Sequence, residues 1–321
     1  MTFRPTDRLI VQEVAPRDGL QIEPRWVTTD RKIDLIDSLS AAGFTRIEAG
    51  SFVSPKAVPN LRDGAEVFAG IHRRPGCIYV ALVPNLKGAE LAAVAGADEI
   101  NLVASSSETH NMANMRMTCE ASLTSFAAVT KALADRGLSR LPLLNGTVAT
   151  AFGCPFEGRQ APARILSFVE RYLRLGFRGI TLADTTGMAN PRQVASLVAE
   201  VLRLVRPEAL TLHFHNTRGM GLANVLAAFE AGARRFDASL GGLGGCPFAP
   251  GATGNICTED LVHMCDEMGI ATGIDLQLLI ELSRDLPALL GHDVPGQVAK
   301  AGRSYDLHPL PPASSARRTA A

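Results

Sequence analysis

His213 and His215 stand two residues apart at the end of the apolar run Leu210–Phe214. On a strand, side chains two apart share a face, so both imidazoles point the same way and a divalent ion could bind both. A hydrogen-bonded pair of core histidines is the alternative. Asp18, in Pro16-Arg17-Asp18-Gly19, is the natural oxygen ligand from another strand end. Two nitrogens with carboxylate and amide oxygens suit Mg2+, Mn2+ or a similar ion of coordination number above four. Arg17 places a fixed cation beside that ion, where an oxyanion or enolate could develop. An internal ion pair with Glu48 or Asp184 competes with that role. Glu48 and Asp184 could orient water, the metal ligands or a substrate.

The run Gly241-Gly242-Leu243-Gly244-Gly245 reads as a loop that moves over a site or cradles phosphate. Cys246 at its end could bring a thiol into the closed site, or be a small buried hydrophobe. A Schiff-base aldolase needs a lysine projecting from a strand. The five lysines (Lys32, Lys56, Lys87, Lys131, Lys300) fall on helices, loops and the tail. A carbon–carbon lyase built on this chain therefore uses a metal as its electrophile and no organic cofactor.

These residues need elements to hold them. Eight short apolar runs, each followed by a turn signal and a helical pattern, read as repeated βα units. The strands are Leu9–Val14, Arg46–Ala49, Cys77–Val83, Glu99–Ala104, Pro142–Val148, Gly179–Ala183, Leu210–Phe214 and Arg235–Leu240. The helices between them are Asp30–Ala42, Asp63–Ile71, Lys87–Ala95, Ser122–Arg136, Pro162–Leu175, Pro191–Val205, Leu222–Ala231 and Thr258–Met268, with Pro at several starts and Gly past several ends. Eight such units over about 260 residues fit an α/β TIM (β/α)8 barrel better than an open sheet. In that fold the active site lies at the carboxyl ends of the strands, where Arg17, Asp18, Glu48, Asp184, His213 and His215 fall. The expected division is a catalytic barrel over residues 1–270, a helical extension over 271–300 and a disordered tail over 301–321.

The 32 basic and 32 acidic residues cancel, which leaves no footprint for nucleic acid. No apolar stretch is long enough for a transmembrane helix and the first residues carry no signal-peptide core, so a cytoplasmic protein is expected. The six cysteines fall at irregular spacings with no C-x-x-C, which argues for thiols rather than disulfides or a zinc knuckle. Neither G-x-G-x-x-G after the first strand nor a P-loop occurs.

Pro16-Arg17-Asp18-Gly19-Leu20-Gln21, Glu48 before Ser51-Phe52-Val53-Ser54-Pro55-Lys56, Gly153-Cys154-Pro155-Phe156-Glu157-Gly158, His213-x-His215 and Gly241 to Ala249 together closely resemble the 3-hydroxy-3-methylglutaryl-CoA lyases. The resemblance continues through Gly254-Asn255-x-x-Thr258-Glu259-Asp260-Leu261-Val262 and spans about residues 8 to 300. It implies retro-Claisen cleavage of a 3-hydroxyacyl-CoA, giving acetyl-CoA and acetoacetate from HMG-CoA in the setting of leucine degradation. It further implies metal binding by Asp18, His213, His215 and Asn255, enolate stabilisation by Arg17, proton transfer by Cys246 and supporting acids at Glu48, Asp184 and Glu259. Gln21, Ser51, Gly244 and Gly245 fall on the substrate side of the same motifs, and a homodimer or larger homo-oligomer is expected.

Departures occur at Pro24-Arg25, where animal enzymes carry a lysine, and at Ala183-Asp184-Thr185-Thr186-Gly187 in place of G-D-T-I-G. They leave room for a longer-branched 3-hydroxyglutaryl-CoA or for citramalyl-CoA. Rival readings are a condensing synthase, disfavoured by the short segment after the barrel, and a non-catalytic acyl-CoA-binding barrel, disfavoured by Arg17, both histidines and Cys246 together. A metal hydrolase would carry its H-x-H on the first strand rather than the seventh.

Overall fold

The computed structural model describes residues 8–137, 140–245 and 254–307. Eight parallel strands close into a barrel in sequence order: β1 (Ile10–Glu13), β2 (Arg46–Ser51), β3 (Ile78–Val83), β4 (Glu99–Ser105), β5 (Leu143–Ala149), β6 (Gly179–Asp184), β7 (Leu210–Phe214) and β8 (Arg235–Ala238). Closure pairs β1 with β8, with Gln12 opposite Asp237 and Glu13 opposite Ala238. The chain is thus a (β/α)8 barrel, as the repeated units predict.

The surrounding helices are α1 (Thr29–Ala41), α2 (Gly64–Gly70), α3 (Leu86–Val94), α4 (Glu108–Met115), α5 (Cys119–Asp135), α6 (Pro162–Arg174), α7 (Pro191–Val201), α8 (Gly221–Glu230), α9 (Thr258–Glu267), α10 (Leu276–Leu290) and α11 (Val298–Ala301). Their starts are chemically signed. Asn85, Ser107, Thr118, Asn190 and Asp275 each accept a bond from an amide three residues on. In α6 the buried set Ile165, Phe168, Val169 and Tyr172 has the spacing of one helical face. The Tyr172 ring lies directly over β5, and a Cβ at Gly146 would come 2.3 Å from it, so only glycine fits there. Helix α4 is absent from the sequence reading: its polar composition hides it, and the Ser107 cap with buried His110 and Asn111 sustains it.

The barrel interior departs from the usual layers of branched apolar side chains. Gln12, Arg46, Glu48, Glu99, Asn101, Asn145, Thr147, Thr181, Thr211, Arg235 and Asp237 are all buried. They satisfy one another: Asn101 accepts from Thr147 Oγ1 at 2.7 Å and Asn145 Nδ2 at 3.0 Å, and Arg46 donates to Glu99 at 2.6 Å. Such a network is tolerated only because nearly every member finds a partner.

After the barrel, α10 packs on α9, where Ser283 Oγ donates to Glu259 Oε1 at 2.5 Å. Ala301 closes α11, and Arg303 is ion-paired with Asp306 at 2.7 Å. The rest of the expected tail, 308–321, lies outside the described residues. Among the described residues, no helix is long and apolar enough to cross a membrane.

Candidate active site

The site begins where β1 ends. Past Glu13 the chain makes one wide helical turn, Ala15–Gly19, in which the amides of Arg17, Asp18 and Gly19 converge on the Val14 carbonyl at 3.1, 2.7 and 3.2 Å. This turn holds Arg17 and Asp18 at the mouth of the barrel. Glu13 anchors it from below, accepting from Ala15 N at 2.8 Å, Leu240 N at 2.9 Å and Thr258 Oγ1 at 2.8 Å. Burial pushes the Glu13 carboxyl up to about 8 despite those bonds.

His213 and His215 share a face as the strand periodicity predicts, and the turn after β1 brings Asp18 to them. One ligand atom from each lies within 4.8 Å of the others, and all three side chains are buried. The two Nε2 atoms are 3.1 Å apart. Burial, reinforced by His213, brings His215 down to about 3, so its imidazole is neutral. Burial alone would raise Asp18, but opposing charge, that of Arg17 first, outweighs it and brings the carboxyl down to about 2. A carboxylate and a neutral imidazole converging with a second imidazole form a donor set that suits a divalent cation. His215 Nδ1 is buried without a partner among the described residues, which leaves the ring unoccupied on its far side.

Asn255 joins this cluster through the backbone: its neighbour Ile256 donates its amide to Phe214 O at 3.1 Å, setting Asn255 beside His215. Its Nδ2 donates to Asp18 Oδ2 at 2.7 Å and to Leu243 O at 2.9 Å. A ligand role would use Oδ1, the atom these two bonds do not engage.

Arg17 donates through Nε to Glu48 Oε2 and through Nη1 to Asp18 Oδ1, both at 2.6 Å. Burial opposes its charge, but Glu48 and Asp18 raise its proton affinity above the ordinary arginine value. Of the two ion pairs considered from sequence, Glu48 forms and Asp184 does not. Glu48 also accepts from Asn101 Nδ2 at 3.4 Å, and burial raises its carboxyl. Asp184 closes β6 and binds the Met188 and Ala189 amides through Oδ1 at 2.8 and 3.0 Å. Its Oδ2 is buried without a partner among the described residues, and burial lifts the carboxyl to about 7.

Ser51 is buried at the end of β2, where its Oγ accepts from Val53 N at 3.3 Å. Gln21 is half-buried, and its carbonyl accepts from Asn60 Nδ2 at 3.3 Å. Gly244 has φ +102°, and a Cβ there would lie 2.6 Å from Asn255 Nδ2 and 3.1 Å from the Asp18 carbonyl. Gly245 is buried.

The glycine run is not free along its length. Leu240–Gly242 forms a tight turn, Gly241 N donates to Glu259 Oε2 at 3.0 Å, and Gly241, Gly242 and Leu243 are buried. Composition suggested mobility, but Glu259 and the packing of this turn against α10 fix its first half. Cys246 lies outside the described residues. Of the other thiols, Cys119 is buried, donates to Ser105 O at 3.1 Å and is pushed up to about 12 by burial. Cys154 is buried and donates to Ser107 Oγ at 3.1 Å.

Sequence reasoning missed Glu13 and Asp237. Asp237 Oδ2 lies 3.2 Å from His213 Nδ1 and its Oδ1 accepts from Gln12 Nε2 at 3.0 Å. The alternation that paired His213 with His215 also places Arg235 and Asp237 on one face of β8, which was the available signal.

The HMGL-like family model matches residues 8–286. The solved structure of an HMG-CoA lyase from Acinetobacter baumannii, in complex with coenzyme A and 3-methylmalate, is 66% identical with a TM-score of 0.92, covering 97% of this chain and 100% of that one. The (R)-citramalyl-CoA lyase of Chloroflexus aurantiacus is 43% identical over 309 residues, 93% of this chain and 96% of that protein. The mitochondrial hydroxymethylglutaryl-CoA lyase of Homo sapiens is 42% identical over 294 residues, 92% of this chain and 89% of that protein. With its eight-stranded barrel and the family model spanning most of its length, the chain belongs to the HMGL-like family.

Proposed function

We propose that this chain is a carbon–carbon lyase that cleaves a 3-hydroxyacyl-CoA, with HMG-CoA giving acetyl-CoA and acetoacetate. The observation that carries the reading is the convergence of Asp18, His213 and His215 beside the Arg17 guanidinium. In this reaction the C3 hydroxyl loses its proton and becomes a ketone. The C2–C3 bond breaks towards C2 to leave the enolate of acetyl-CoA, and C2 then takes a proton. A bound divalent ion would acidify the hydroxyl and fix the hydroxy-carboxylate end of the substrate. Asp18, His213 and His215 would hold that ion, with Asn255 completing the set through Oδ1. Arg17 would offer its guanidinium to the enolate oxygen, with Glu48 fixing its plane. Asp184 would exchange a proton near neutral pH, a role supported by its buried Oδ2, unpartnered among the described residues, and a carboxyl lifted to about 7 by burial. Cys246 would protonate C2, and Gln21, Ser51, Gly244 and Gly245 would face the substrate. Mg2+ or Mn2+ as the ion, a cytoplasmic location and a homodimer or larger homo-oligomer complete the proposal.

A second reading, citramalyl-CoA cleavage to acetyl-CoA and pyruvate, is favoured by two observations. The Chloroflexus relative carries that name, and the Acinetobacter structure holds 3-methylmalate, whose hydroxyl neighbours a carboxylate as in a citramalyl end. The two substrates differ by one methylene between the hydroxyl carbon and the free carboxylate. Incubating the purified protein and Mg2+ or Mn2+ with each thioester, and following acetyl-CoA with acetoacetate or pyruvate, decides between them. Absence of acetyl-CoA from both, and from longer-branched 3-hydroxyglutaryl-CoA, refutes the lyase reading.

A further inference from the structure

We infer that Asp237, held in place by Gln12, is a positioning residue that fixes the His213 ring with its proton on Nδ1 and so turns Nε2 towards the metal position. The inference rests on the metal-dependent reading above. Barrel register supplies the geometry. His213 on β7 pairs with Asp237 on β8, and Asp237 pairs with Gln12 on β1, so three neighbouring strands bring the side chains to one level.

The direction of each bond follows from the far end. Arg46 has donors only, and its Nε meets Gln12 Oε1 at 3.0 Å, with the same guanidinium tied to Glu99 at 2.6 Å. The Gln12 oxygen is thereby used, and its Nε2 must be the end facing Asp237 Oδ1, at 3.0 Å. Asp237 then meets His213 Nδ1 with its second oxygen at 3.2 Å, an acceptor that requires a donor opposite. A neutral imidazole with its proton on Nδ1 carries its lone pair on Nε2. That atom is the one 3.1 Å from His215 Nε2. No comparable partner holds His215, whose Nδ1 is unpaired among the described residues, so the ring order of this site is set through His213. Carboxylates behind ligating histidines commonly contribute about 10–100-fold in metal affinity.

The test pairs Mn2+ titration by calorimetry with nitrogen-15 histidine NMR of the metal-free protein at pH 8.5. Wild type should show His213 with Nδ1 protonated. Asp237→Ala should lose that signature and bind Mn2+ roughly 10–100-fold more weakly. Asp237→Asn, which has one oxygen for the two donors Gln12 Nε2 and His213 Nδ1, should weaken Mn2+ binding to an intermediate degree, and Gln12→Ala should shift both readouts in the direction of Asp237→Ala by less. A folded Asp237→Ala with wild-type Mn2+ affinity overturns the inference and leaves the metal reading intact. Wild type that binds no Mn2+ overturns both. Should Asp237→Ala not fold, a wild-type spectrum with His213 protonated on Nε2 overturns the inference without any variant.

Discussion

The Nε of Arg17 lies 2.6 Å from Glu48 Oε2, a buried ion pair between the first turn after β1 and the middle of β2. It fixes the guanidinium beside Asp18 before any substrate arrives. If the cation serves charge that develops only during cleavage, Arg17→Met should lower kcat by roughly 100-fold or more and change KM little. A rise in KM with kcat unchanged would assign Arg17 to ground-state binding.

Glu48→Ala should destabilise the fold, because it leaves the buried Arg17 charge with Asp18 as its one remaining ion-pair partner among the described residues. Breaking a buried pair costs about 3–5 kcal/mol, and the surviving Asp18 contact places the expected loss near the lower end. Urea unfolding measures it; a loss below about 1 kcal/mol would show that Asp18 alone neutralises Arg17.

Activity should require an added divalent ion. His213→Ala and His215→Ala should each weaken Mn2+ binding, and Mn2+ at 100 times its Kd should stabilise wild type by about 2.7 kcal/mol. Full turnover in excess chelator, after exhaustive stripping, would remove the ion from the reaction.

Gly244→Ala combines a φ of +102° with a Cβ only 2.6 Å from Asn255 Nδ2. The strain alone should cost about 1–3 kcal/mol, and displacement of Asn255 should weaken Mn2+ binding as well. Loss of stability with unchanged Mn2+ affinity would separate Asn255 from the ion.

Glu13 gives stability a pH dependence of definite sign. Its carboxyl lies at about 8 in the folded chain against an ordinary 4.5, so the native state holds a proton that the unfolded state has released between those values. Its contribution is complete below about pH 4.5 and fades as pH rises towards 8, at up to about 1.4 kcal/mol per pH unit. Glu13→Gln, which keeps an acceptor for the Ala15 and Leu240 amides, should be more stable than wild type at pH 8, with the advantage shrinking by pH 5. Parallel stability curves for the two proteins would contradict the assignment.

Alkylation should inactivate through Cys246: Cys119, Cys154, Cys257 and Cys265 are buried, and the half-buried Cys77 lies just before β3, at the opposite end of the strands from Arg17 and Asp18. Cys246→Ala should lower kcat by about 10²–10⁴-fold with metal content unchanged. Peptide mapping that finds the label elsewhere, or full activity in Cys246→Ala, excludes the thiol from the chemistry.

Local rules were enough to read much of this protein from sequence. The two-residue period of a strand puts His213 and His215 on one face wherever β7 sits, and helix periodicity with Pro162 and Pro191 near helix starts and glycines such as Gly176 past helix ends marks the helices. Eight such units in a row then favour closure, and closure assigns Arg17, Asp18 and Asp184 to the mouth. What neighbours each side chain meets there was decided by tertiary structure. Gln12 and Asp237 are 225 residues apart, and Glu13 and Thr258 are 245 apart; both pairs exist because β1 closes on β8 and brings the following turn and α9 with it. The choice of Glu48 over Asp184 as the partner of Arg17 has the same origin, since β2 adjoins β1 and β6 does not. The packed turn at Gly241 follows suit: glycine composition sets what the backbone can adopt, whereas the Glu259 carboxylate, reached only through the folded α9, sets what it does adopt.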